Sequence, residues 1–126
     1  SVDPHTQQLN NFIEISAHSD VRKWQHLIRD IEPPAGYGKL YTHRLYRNSK
    51  ERLFVVWVHD EIPDETHDYL DESFLILEGT CTCRVKDQYF NLKPGDFLRM
   101  PLDGYHNLVV TSREPVKLIL SRVKVA

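Results

Sequence analysis

The sequence predicts an all-β domain, either a sandwich or a closed barrel of short strands. From Tyr37 onward, apolar and polar residues alternate with a period of two in short segments rich in β-branched and aromatic residues. Turn-forming residues separate these segments at regular spacing, as in the Pro-Gly pair at 94–95. The period of an amphipathic helix is clear in only one place, shortly before Pro33.

The length and composition are those of one globular domain. The chain has 126 residues, of which 40% are hydrophobic and 27% charged, and a chain of this size can bury a core without disulfide or metal staples. Sixteen basic and 18 acidic residues give a net charge of −2. Because no Lys/Arg stripe is present, we do not expect a nucleic-acid partner. No apolar run reaches the roughly 18 residues of a membrane helix, so no membrane partner is expected either.

Residues 1–36 are predicted to form an N-terminal arm and one α-helix packed on a barrel formed by residues 37–126, within one structural domain. Ser19 is suited to the helix N-cap because its side chain can accept a hydrogen bond from the first turn. Apolar residues then recur at spacings of three and four over residues 21–31, which indicates one buried helix face. Pro33 follows directly and is expected to end the helix.

The strands of the barrel are predicted from their alternation and from the turns between them. The apolar run 53–58 is expected to be a strand buried on both faces, and Pro63-Asp64 is expected to break this strand. Gly79 allows a bend or bulge after the next buried strand. The predicted strands cover residues 39–46, 53–58, 73–77, 80–85, 89–92, 97–100, 108–111 and 116–120.

Two cysteines are separated by a single residue. On a strand, Cys81 and Cys83 would point the same way at about 6.5–7 Å, too far apart for a comfortable disulfide. We expect free thiols that face the interior with Val85 as small apolar residues, rather than a metal or redox pair. Free thiols favour a reducing compartment, and the first residues resemble no secretory signal, so a cytoplasmic location is predicted.

Two histidines and two glutamates form a candidate metal site. Glu65 and His67 are two residues apart, so an extended backbone projects both to one side. Glu72 lies five residues beyond His67, so a turn or bulge through residues 68–71 is needed to bring it to the same side. His106 must come from a neighbouring strand. Neutral imidazole with carboxylate is the ligand set favoured by divalent Fe, Mn, Ni and Zn.

The spacing of these residues resembles the first motif of the cupin family. That motif runs His-x-His, three or four residues, Glu, six residues, Gly. Here His67 takes the second His position, four residues follow, Glu72 takes the Glu position, and Gly79 closes the motif after six more. The sequence departs from the motif at the first His position, which is Glu65.

A second stretch resembles the second cupin motif, and the resemblance extends over roughly residues 53–123. That motif runs Gly, five residues, Pro-x-Gly, two residues, His, three residues, Asn. Gly95, Pro101 and His106 fall in register with it. The sequence departs from it at the central Gly, which is Asp103, and at the final Asn, which is Val110.

The resemblance implies a double-stranded β-helix, or jelly-roll barrel, with His67, Glu72 and His106 lining its mouth and holding one divalent metal ion (Fe, Mn, Ni or Zn). Glu65 has three interpretations. It is a fourth ligand, or it replaces Glu72 in a triad of two histidines and one carboxylate, or it points to solvent. The resemblance also implies a homodimer formed through the sheets.

Three functions are compatible with such a barrel. The first is a metal-dependent enzyme of the dioxygenase, isomerase or lyase type that acts on a small oxygenated or carboxylated metabolite. The second is a non-catalytic module that senses a small molecule or a metal, and the third is a structural barrel with vestigial ligands. Tyr69, Arg99 and Tyr105 are candidates for substrate binding or proton transfer, with packing as the alternative role for each.

Overall fold

A computed structural model describes residues 25–65, 70–100 and 106–125, and at residues 64 and 65 it describes the backbone alone. The boundary between the two compact units of the chain lies after Ile31. Within the described residues, no helix has the length and apolar character needed to cross a membrane.

The predicted α-helix is wrong for the described part of its range, which begins at Gln25. Residues 25–27 have no regular structure, and Ile28–Asp30 form a single 3-10 turn closed by the Ile31 N–H, which donates to the Ile28 carbonyl at 3.2 Å. None of the three turn residues is buried. Short helices take most of their stability from a packed apolar face, so this segment lacks what would hold an α-helix. The earlier part of the predicted helix lies outside the described residues.

The second unit contains nine described strands in two antiparallel sheets. They are β1 (Leu40–Arg47), β2 (Glu51–Val58), β3 (Glu61–Glu65), β4 (Leu70–Glu78), β5 (Cys81–Val85), β6 (Gln88–Leu92), β7 (Phe97–Met100), β8 (His106–Val110) and β9 (Val116–Lys124). One sheet has the order β1-β2-β9-β4-β7 and the other β3-β8-β5-β6. The all-β prediction is therefore confirmed, and the two sheets have the crossed strand order of a jelly roll.

The hydrophobic core lies between the two sheets. Alternate residues of β4 and β9 point into it, because successive side chains of a strand face opposite sides. The predicted burial of the 53–58 run on both faces is confirmed for Val55–Val58, whose exposure is 0–5%. The core consists of Val56, Val58, Phe74, Ile76, Cys81, Cys83, Val85, Leu92, Met100, Leu108, Val116, Leu118 and Leu120.

Pro63 lies inside β3, so the prediction that Pro63-Asp64 breaks the preceding strand is wrong, since β2 already ends at Val58. Strand β3 lies at the edge of the four-stranded sheet and, among the described strands, pairs with β8 alone. The β3–β8 register shifts between Ile62 and Glu65. Proline has no N–H to donate, so an edge strand with an irregular register tolerates it where a central strand would not.

Two glycines adopt the backbone conformations that the sequence predicted. Gly79 follows β4 with φ of 77°, next to a register shift between Ile76 and Glu78. Gly95 has φ of 93° in a turn closed by the Asp96 N–H, which donates to the Lys93 carbonyl at 2.9 Å. Both φ values lie in the left-handed region that favours glycine.

Gly79→Ala is expected to destabilise the protein by about 3 kcal/mol. The new Cβ would lie 2.8 Å from the Pro115 carbonyl oxygen and 3.0 Å from Val116 Cα, in addition to the strained φ. Gly95→Ala is the matched control, because its φ is also positive but nothing lies within 4 Å of the added Cβ, so a loss of about 1 kcal/mol is expected. Urea unfolding measures the free energy of unfolding of both variants. Equal losses of stability in the two variants would contradict the steric argument.

The two cysteines are free thiols in the core, as predicted. Cys81 and Cys83 are each 1% exposed and face the interior with Val85. A hydrogen bond with Cys81, and then burial, raises the pKa of the Cys83 thiol. The same hydrogen bond lowers the pKa of the Cys81 thiol. Burial is therefore the feature that opposes the reaction of both cysteines with external reagents.

We expect both thiols of the native protein to react with a thiol-specific disulfide reagent at least about a thousandfold more slowly than in urea, since reaction requires unfolding. Spectrophotometric titration of the released chromophore measures the two rates. Fast reaction of one thiol under native conditions would show that the barrel opens locally at β5.

Candidate functional site

Two ionisable side chains point into the barrel beside the core. Glu72 shares the inner face of β4 with Phe74 and Ile76, and it is 2% exposed. His106 is the first residue of β8, shares the inner face with the core residue Leu108, and is 3% exposed. Burial of such groups is costly unless charges, hydrogen bonds or a metal compensate for the lost water.

Glu72 and His106 meet across the interior, because β4 and β8 belong to different sheets. His106 Nε2 lies 3.6 Å from Glu72 Oε2. This distance exceeds the usual hydrogen-bond range of about 2.7–3.2 Å. It is close to the roughly 3.0–3.5 Å that separates two neighbouring ligand atoms around one ion at bond lengths of about 2.0–2.2 Å. The pair therefore has the chemistry and the approximate spacing of two metal ligands.

Arg122 is a third charged group at this position. It is paired with Glu72 in the β4–β9 register, and its Nε lies 3.8 Å from Glu72 Oε2. Its side chain is 26% exposed, so it reaches from the interior towards the barrel mouth. A nearby positive charge offsets part of the cost of burying the carboxylate.

Arg122 is not among the site residues predicted from the sequence. The available signal was the alternation of β9, in which Val116, Leu118 and Leu120 lie in the core. An arginine two residues after Leu120 continues on the same inner face. An inward-facing cation was therefore predictable once the strand and its inner face were assigned.

A cavity of about 200 Å³ lies next to these charged groups. Apolar side chains dominate its wall, and Glu72 and Arg122 supply the charges. Small-molecule sites commonly combine an apolar wall with a few placed polar groups. The lining residues are Leu40, Thr42, Phe54, Val56, Ile62, Glu72, Leu120 and Arg122.

Half of the predicted metal ligands are fully described. Glu65 ends β3 and is paired with His106 in the β3–β8 register, but its side chain is not described. His67 lies outside the described residues, as do the catalytic candidates Tyr69 and Tyr105. Among the described side chains, no group of three or more His, Cys, Asp or Glu residues is placed to hold a metal ion.

Only two of the four residues expected to form the turn or bulge between His67 and Glu72 are described. Leu70 and Asp71 belong to the extended strand β4, so they do not form that turn. The other residues of the expected turn lie outside the described part of the chain.

Arg99 lies away from the charged pair in the barrel. It is paired with Ser73, one residue beyond Glu72, and therefore faces the outer side of the sheet. Its guanidinium nitrogen Nη2 donates to Asp71 Oδ2 at 2.6 Å, and its side chain is 72% exposed. The Asp71 carboxylate raises the pKa of the guanidinium. Arg99 is thus not among the residues that the structure brings together at Glu72 and His106.

Comparison with known proteins identifies the fold. A family model described as "Cupin domain" matches residues 52–122, which are 71 of the 126 residues. A 48-residue stretch is 42% identical to quercetin 2,3-dioxygenase from Bacillus subtilis (strain 168) and covers 38% of this chain but only 14% of that protein. The chain therefore spans a small fraction of the length of this curated relative.

Two solved structures share the architecture at low sequence identity. The cupin domain of Schizosaccharomyces pombe Cnp3 superposes with a TM-score of 0.72 at 18% identity and covers 80% of this chain and 74% of that one. KdgF from a Halomonas species gives a TM-score of 0.65 at 12% identity, with 77% and 92% covered. Together with the matched family model and the two facing sheets, these similarities show that the chain belongs to the cupin family.

Proposed function

We propose that this cupin is a metal-dependent enzyme that acts on a small oxygenated or carboxylated metabolite. The observation that carries the proposal is the buried pair of Glu72 and His106, which meet at 3.6 Å inside the barrel. An imidazole and a carboxylate from opposite sheets form half of the donor set that divalent Fe, Mn, Ni and Zn favour.

His67 and Glu65 complete the proposed ligand set. The pairing of Glu65 with His106 in the β3–β8 register supports its inclusion. His67 is included because of its spacing to Glu72 in the first cupin motif. Two neutral imidazoles and two carboxylates would balance the charge of a divalent ion. When bound, the ion would act as a Lewis acid on a substrate oxygen or as a centre that activates O₂.

The cavity beside the pair would receive the substrate. Its apolar wall excludes water from the buried charges, which strengthens their interaction with a ligand. Arg122 lines the same cavity and lies 3.8 Å from Glu72, so its guanidinium can bind an acidic substrate group beside the metal ligands. A carboxylated substrate therefore suits this cavity better than an uncharged one.

The short stretch of 42% identity to a protein named quercetin 2,3-dioxygenase makes oxygen chemistry the first reaction type to test. The rate of O₂ uptake by the metal-loaded protein in the presence of small carboxylated metabolites measures this activity. A metal-loaded protein that binds such metabolites without turnover would instead support the non-catalytic sensing module.

His106→Ala is expected to lower the bound divalent metal at least tenfold, because even residues that only support a metal ligand typically contribute about 10–100-fold to affinity. Elemental analysis of protein purified without chelator or nickel resin measures the content of divalent metal per chain. His43→Ala is the matched control, since His43 pairs with Val55 on the face of β1 opposite the cavity residue Thr42. Equal metal content in wild type and His106→Ala would refute the site.

Substitutions at Glu65 separate its two ligand interpretations from the solvent-facing one. If Glu65 is a ligand, Glu65→Ala should weaken metal binding about tenfold or more, while Glu65→His, which restores an imidazole at the first motif position, should retain the metal. Competition with a metal-binding dye measures the affinity. Unchanged affinity in Glu65→Ala would remove Glu65 from the ligand set and leave His67, Glu72 and His106.

A further inference from the structure

Three arginines lie side by side at one end of the five-stranded sheet. Arg52 is paired with Arg47 on one neighbouring strand and with Arg122 on the other. Arg122 is in turn paired with Glu72. Because paired residues share a face of the sheet, the row lies on the inner face that carries Glu72. Three adjacent strands thus present guanidinium groups towards the barrel mouth.

A β-bulge brings the first of these arginines onto the inner face. Arg44 is paired with Phe54, but Tyr46 is paired with Leu53, so Leu45 is an extra residue in β1. Strict alternation from Arg44 would have placed Tyr46 on the inner face and Arg47 on the outer one. Bulges of this kind commonly redirect a side chain next to a functional site.

The cluster has an excess of positive charge. Two lysines adjoin the arginine row, since Lys50 and Lys124 line one cleft with Arg52 and Arg122. The Lys124 N–H also donates to the Lys50 carbonyl at 2.7 Å. Among the described residues, five cations thus adjoin two carboxylates, Glu51 and Glu72. Like charges on directly opposed strand residues are destabilising. An arrangement that costs stability without a ligand is most readily explained by an anion that binds there.

Four of the five cations, Lys50, Arg52, Arg122 and Lys124, line a cleft of about 150 Å³. Arg47 adjoins it through its pairing with Arg52. The β1–β2 turn at its edge is ordered, because Asn48 Oδ1 accepts hydrogen bonds from the Lys50 and Glu51 N–H groups at 2.8 and 2.7 Å. Arg122 lines both this cleft and the interior cavity. The cleft residues are Asn48, Ser49, Lys50, Glu51, Arg52, Leu70, Arg122 and Lys124.

We propose that this cationic cleft binds a doubly charged oxyanion group, so that the substrate is a small dicarboxylate or phosphate monoester. The inference rests on the proposed function, because it assigns the cleft and the cavity to one substrate. Guanidinium groups bind carboxylate and phosphate oxygens in pairs. The cleft, at about 150 Å³, has room for one such group, and Arg122 connects it to the cavity beside Glu72.

Calorimetric titration of metal-free protein tests the cleft separately from the metal. The protein is stripped on a chelating resin, since a soluble chelator is itself an anion. Inorganic phosphate and malonate are titrated at constant ionic strength and mildly alkaline pH, with the uncharged malonamide as the reference. We expect at least one dianion to bind and malonamide not to bind, and the tighter dianion identifies the substrate class. Failure of both dianions to bind would overturn the proposal.

Arg52→Gln is expected to weaken binding of the dianion about tenfold or more, as loss of a charged hydrogen bond does. It should also raise the thermal stability of the ligand-free protein, because it removes one charge from between Arg47 and Arg122. Arg113→Gln is the control: it removes one exposed cation from the β8–β9 turn at the opposite end of the strands. Unchanged affinity in Arg52→Gln, or equal weakening in both variants, would overturn the proposal.

The metal content of the same proteins separates this inference from the proposed function. Arg52→Gln should retain wild-type metal, and metal-free His106→Ala should retain wild-type affinity for the dianion. A wild-type protein that takes up metal but does not bind the anion would refute only the cleft. Anion binding by a wild-type protein that takes up no metal would refute only the metal centre.

Discussion

Burial of the Glu72 carboxylate between the two sheets is the constraint on which the rest of the site depends. An ionised group at 2% exposure is costly unless other groups replace the water it has lost. Arg122 and His106 approach the same oxygen at 3.8 and 3.6 Å, from β9 beside it and from β8 across the interior. Three strands must therefore keep their register for these groups to converge.

The two ends of the barrel differ in what they contribute. At one end Gly79 packs tightly against Pro115, and the Thr80 N–H donates to Ser112 Oγ at 2.9 Å, so this end is closed by backbone contact. At the other end lie Glu72 and the arginine row. Apolar packing between the sheets holds the middle of the barrel, which allows the charged end to be electrostatically unfavourable without loss of the fold.

The excess positive charge at the barrel mouth is the physical basis of the proposed selection for an anionic ligand. Arg122 connects a polar cleft of about 150 Å³ with a largely apolar cavity of about 200 Å³. A ligand that is charged at one end and compact at the other would fit both the cleft and the cavity. Neutral ligands would not offset the excess positive charge of the cleft, and large ligands would exceed the space, so charge and size would act together in selection.

The sequence by itself determined most of the strands, the positive-φ turns and the inward-facing thiols, because each depends on local periodicity or on one residue's backbone preference. Its cupin spacing also selected Glu72 and His106 as partners. Only the tertiary structure decided that residues 25–31 form no α-helix, since that depends on burial rather than on periodicity. It alone showed that Pro63 fits an edge strand and that a bulge turns Arg47 inward. The register between β2 and β9, which are far apart in the chain, aligns Arg52 with Arg122, and no local pattern encodes that register.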